Sequence, residues 1–92
     1  MPYQILPYTY KRARALGVTV KPSTVAGKKL DVFKDGRKVA TVGDILYRDY
    51  PTFIRDKGVA YANRRRQAYK KRHESDRHLR GSNGWYADQL LW

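Results

Sequence analysis

The sequence contains no cysteine, which excludes a disulfide framework or a thiolate metal site as a source of stability in so short a chain. Acidic residues are scarce: eight Asp and Glu stand against twenty Lys and Arg in 92 residues, a formal net charge of +12. Self-repulsion on that scale opposes compaction unless an anionic partner is close, so nucleic acid, an anionic membrane surface or an acidic protein assembly is implied. No run approaches the roughly 18 to 20 apolar residues of a bilayer-spanning helix. The opening MPYQILPYTYKRARALG carries its charges after its apolar residues and does not read as a secretory leader, giving the expectation of a protein made and used inside a cell.

Reactive constellations are equally sparse. Ser23, Ser75 and Ser82 lack an accompanying His and carboxylate pattern, and VAGKKL lacks both the spacing and the final Ser or Thr of a phosphate-binding loop. In HESDRH the two histidines, His73 and His78, are five apart, whereas a zinc-binding helix needs them one turn apart, and Arg77 stands where the second ligand belongs. Asp44 and Asp49 form a nominal carboxylate pair, but Asp49 ahead of Tyr50-Pro51 reads better as a helix cap. The expectation is a binder rather than an enzyme, with no metal, cofactor or small-molecule substrate.

What is present is aromatic and basic. Eight Tyr, two Trp and two Phe supply large buried areas from few residues, so an ordered domain is expected. Positive charge falls in two blocks: residues 1–29 carry six basic and no acidic groups, and residues 51–80 carry ten basic and three acidic. Between them, residues 30–50 carry four of each. Asp35-Gly36 in this neutral centre predicts a type I′ hairpin turn. Pairing Lys34 with Arg37 would set Phe33 opposite Lys38, Val32 opposite Val39 and Leu30 opposite Thr41. A lone hairpin is marginal, so a third strand from GVTV (17–20), a helix or a neighbouring chain must cover it.

Asp49 and Pro51 then predict a short helix ending at Gly58, and a longer one from about Val59 to Ser75. The longer helix shows a thin apolar stripe of Tyr61, Ala62, Ala68 and Tyr69, surrounded by Arg64, Arg65, Arg66, Lys70, Lys71 and Arg72. Its tyrosines read either as buried stripe or as stacking partners for unpaired bases. Its charges suit phosphate contact, which is salt-sensitive and sequence-independent. Membrane binding is disfavoured, because the helix lacks the broad apolar face of an interfacial helix. The last residues hold Trp85, Tyr86, Leu90, Leu91 and Trp92, a short helix or extended anchor buried in this chain's core or in another subunit.

From Lys38 onward the chain resembles a family of short basic proteins encoded by large DNA viruses of algae and protists and by some tailed phages. The resemblance rests on Gly43, Tyr47, Asp49 and Tyr50, then Arg66, Tyr69, Arg72, His73 and Asp76, then Gly84, Trp85, Tyr86, Leu90, Leu91 and Trp92. It implies a virion component, present in the host cell during assembly, with capsid proteins as partners and genomic DNA as an alternative one. The combined expectation is a small α+β fold: residues 1–29 a basic extended arm, and residues 30–92 a domain of hairpin, two helices and aromatic tail. A minor capsid or cement protein would use Lys11, Arg12, Arg14 and the basic helix as its charged contact. Tyr47, Tyr50, Trp85, Tyr86, Leu90, Leu91 and Trp92 would be its hydrophobic anchors. A sequence-independent nucleic-acid-binding or genome-condensing protein is the alternative.

Overall fold

The hairpin forms where the turn residues require it. In the computed structural model, which describes residues 3–92, Asp35 and Gly36 both have positive φ, 53° and 78°, as a type I′ turn demands. In chain order the elements are α1 (Pro7–Leu16), β1 (Thr19–Pro22), β2 (Lys28–Lys34), β3 (Arg37–Asp44), α2 (Tyr50–Lys57), α3 (Val59–Arg72) and α4 (Asn83–Leu91). The three strands make one antiparallel sheet in the order β1-β2-β3. The fold is α+β, with α1 and α4 packed on the buried face of the sheet and α2 and α3 packed on each other.

The register departs from the simple hairpin. Lys34 pairs with Arg37 and Phe33 with Lys38, but a bulge then sets Val32 opposite Ala40 and Leu30 opposite Val42. The extra residue on β3 is Val39, which is exposed. Skipping it lets Ala40 and Val42, rather than Val39 and Thr41, share the buried face with Val20, Leu30 and Val32. Core burial therefore decides the register. β1 is the third strand, placed two residues later than GVTV, with Val20 opposite Val32.

Residues 1–29 are not an extended arm within the described part. Pro7 opens α1 at a position where its missing N–H costs nothing, and Gly17, in the left-handed conformation, closes it by donating to the carbonyls of Ala13 and Arg14. Thr9 and Ala13, one turn apart, are the buried residues of this helix. The Thr9 hydroxyl donates to the Leu90 carbonyl at 2.9 Å, and Arg12 donates to the Gln89 carbonyl at 2.9 Å and to its side-chain oxygen at 2.6 Å. With β1 in the sheet as well, residues 3–29 share a core with residues 30–92. The Cα radius of gyration is 12.5 Å, close to the ~12 Å expected of a chain this length without protrusions.

α4 lies over the sheet, and Tyr86, Leu90 and Leu91 join the strand residues in the larger cluster. Gly43 makes the close approach possible: a Cβ there would meet Leu91 Cδ1 and Lys29 Cδ at 2.9 Å, and its φ is +85°. A second cluster, Tyr50, Phe53 and Ala62, joins α2 to α3. α2 starts on the Asp49 cap, whose carboxylate accepts from the Thr52 N–H at 3.1 Å, and ends at Gly58. Trp92 packs against both clusters and stacks on Tyr69 at 4.3 Å with 8° between the rings. Tyr69 is thus core, whereas Ala68 of the predicted stripe is exposed. Among the described residues no helix is long and apolar enough to cross a membrane.

Candidate functional site

Three of the eight carboxylates, Asp31, Asp49 and Asp88, are buried inside the fold, and the pairing of the acids decides which cations remain without a counter-charge. Asp49, fully buried, accepts from the Tyr3 hydroxyl, the Lys29 ammonium at 2.9 Å and the Thr52 N–H. Asp88, also buried, holds Lys70 at 2.7 Å and Arg77 at 3.8 Å. Asp31 accepts from Ser23, from the Thr24 N–H and hydroxyl, and from Thr41, with Lys38 at 3.6 Å. Glu74 holds Arg77 and His78, and Asp76 lies beside His73, so the HESDRH groups are committed to one another. Burial pushes the Asp31 carboxyl up, but its hydrogen bonds and the Lys38 charge outweigh this and leave it below its ordinary value.

Of the basic residues singled out from the sequence, Arg12 and Lys70 are therefore structural, one bridging to α4 and the other pairing Asp88. Lys11 and Arg14 are exposed on α1. On α3, Arg64, Arg65, Lys71 and Arg72 are exposed and Arg66 half-buried. None of these five has an acidic partner among the described residues. Four guanidiniums lie over aromatic rings instead: Arg64 over Tyr61 at 5.6 Å, Arg65 over Phe53 at 5.4 Å, Arg66 over Tyr50 at 4.0 Å and Arg72 over Tyr69 at 5.9 Å. These cation–ring contacts restrain the long side chains; Arg66 also donates to the Asn63 side-chain oxygen at 3.4 Å, and the guanidiniums of Arg64, Arg65 and Arg72 keep N–H groups for phosphate oxygens.

The expected hydrophobic anchors face inward. Tyr50, Tyr86, Leu90 and Leu91 are buried, and Trp85 and Trp92 are half-buried against the same core. A core this small needs them for its own closure. Tyr47 is the exception. It is 71 % exposed, next to Leu46 at 85 % and Ile45 at 43 %, in the loop between β3 and α2.

This loop forms one rim of a cleft of about 600 Å³ between the sheet edge, α3 and the end of α4. Phe53, Tyr69, Leu91 and Trp92 line its interior, and Lys28, Arg48, Arg65 and Arg72 supply positive charge around it. Sequence reasoning found Arg65, Arg72 and Tyr47 but missed Lys28 and Arg48, which carried no local pattern. The buried Tyr3–Asp49–Lys29 network was missed too, since nothing in sequence joins residues 46 and 20 positions apart. Comparison of the chain with protein-family models, curated proteins and solved structures found no match.

Proposed function

We propose that this is a non-enzymatic nucleic-acid-binding protein that holds phosphate without sequence preference, acting in the virus-particle setting that the sequence resemblance implies. The observation that carries it is the set of five α3 cations without carboxylate partners among the described residues, four of them guanidiniums lying over rings. The aromatic tail is used up in the protein's own core, so charge is what α3 offers a partner. Each phosphate contact releases counterions, and the logarithm of affinity for duplex should fall with the logarithm of salt by about 0.9 per contact. Titration of the purified chain with a mixed-sequence duplex at several salt concentrations tests this. Arg64→Glu with Lys71→Glu, both exposed positions, should weaken binding and flatten the salt dependence by roughly two contacts. Absence of binding by the folded chain at moderate salt would refute it.

The exposed Ile45-Leu46-Tyr47 segment favours a second reading, a minor capsid or cement protein that meets capsid protein partners through this loop. Leu46→Asp should then abolish incorporation into particles while leaving affinity for duplex unchanged. Unaltered incorporation would count against it.

A further inference from the structure

We infer that the cleft between the sheet edge, α3 and α4 binds single-stranded nucleic acid, taking an unpaired base against Tyr47 and the flanking phosphates on Lys28, Arg65 and Arg72. This rests on the nucleic-acid reading above and narrows it to a strand type and a site. The outer face of α3 could follow the phosphates of any polynucleotide. The cleft could not, because bases in a duplex are paired and stacked and present no free face to a side chain. Aromatic platforms beside a positive groove are the usual means of holding an unpaired strand.

Tyr47 is the ring left available. Tyr69 already stacks on Trp92 and on His73, each at 4.3 Å, and Phe53 carries Arg65 and packs near Tyr61 and Trp92. Tyr47 has no aromatic, cationic or hydrogen-bonded side-chain partner among the described residues, yet it lines the cleft and is largely exposed.

The charge around it is uncompensated as well. Lys29 is neutralised by Asp49 and Arg48 faces Asp56 at 3.8 Å, while Lys28, Arg65 and Arg72 have no ion-pair partner among the described residues. The one acid in the lining, Asp44, accepts from the Leu46 N–H at 2.9 Å and so shapes the loop that carries Tyr47. A volume near 600 Å³ accommodates a base with its sugar and adjoining phosphates.

The test measures fluorescence anisotropy with three labelled probes of equal length: an oligothymidylate, the same backbone with abasic sites, and a duplex. Wild type, Tyr47→Ala and Tyr47→Trp are compared. Tyr47 is exposed, so both variants should melt like wild type. The expected result is tighter binding of oligothymidylate than of duplex, a loss of about 5- to 100-fold for that strand in Tyr47→Ala, and recovery in Tyr47→Trp. Affinity for the abasic strand and the duplex should not respond to either substitution. Equal affinity for strand and duplex, unaffected by Tyr47→Ala, overturns the cleft site but leaves phosphate binding by α3 intact. Failure of all three probes to bind at moderate salt overturns both.

Discussion

Asp49 caps a helix, anchors a buried ammonium and accepts from a phenol, and these roles are inseparable because one carboxylate performs them all. Lys29 is buried and has no other acidic partner among the described residues, so Asp49→Asn leaves a desolvated charge without its counter-ion. The expected cost is about 3–5 kcal/mol in urea unfolding, and adding Lys29→Met should recover part of it. Tyr69 gives a second test. Burial, then the charges of Asp88 and Asp76, push its hydroxyl up to about 12 from an ordinary 10.0. A group raised in the folded state keeps its proton there longer than in the unfolded chain. Its stabilisation is complete below the unfolded value and is lost as pH climbs from about 10 toward 12. The melting temperature of Tyr69→Phe should therefore fall less steeply over that interval. Asp31 has the opposite sign: its lowered carboxyl stabilises the fold above the unfolded value and ceases to do so as acid protonates it. Asp31→Asn should flatten the loss of stability below about pH 4.

At the scale of elements, legibility followed the size of the buried residues and the nearness of the partners. The turn at Asp35-Gly36, the Asp49 cap and the Gly58 stop were readable because each is set by adjacent residues. α1 was not. Its buried residues are Thr9 and Ala13, small side chains that make no apolar stripe, and its placement depends on α4 some eighty residues away. The β3 bulge was hidden for a related reason, since only the covered face distinguishes Val39 from its neighbours. Val39→Thr should change stability by no more than about 0.5 kcal/mol, whereas Leu30→Ala, at a position with no exposed surface, should cost about 2–5 kcal/mol. The reverse order would restore the unbulged register. Of the candidate site, the α3 run was visible as a run. The cleft was invisible, because Lys28, Tyr47, Arg65 and Arg72 come from a strand, a loop and two turns of α3 and meet only through the fold.

For the whole molecule, twelve net positive charges within a radius of gyration of 12.5 Å make screening a source of stability. Raising salt from low to moderate concentration should raise the melting temperature, since surface repulsion weakens over a Debye length of about 10 Å at 0.1 M. A nucleic-acid ligand present at a hundred times its dissociation constant should add about 2.7 kcal/mol by mass action. The chain folds under these charges by having α4 close the layer over the sheet while Trp92 joins the two clusters. That arrangement has a consequence during synthesis. Until residues 83–92 leave the ribosome, α1 lacks the carbonyls it binds, the sheet lacks its cover and Tyr69 lacks its stacking partner. Nearly the whole basic length is then made before it can fold, within reach of ribosomal RNA, and completion of the last helix turns an open polycation into a shaped one.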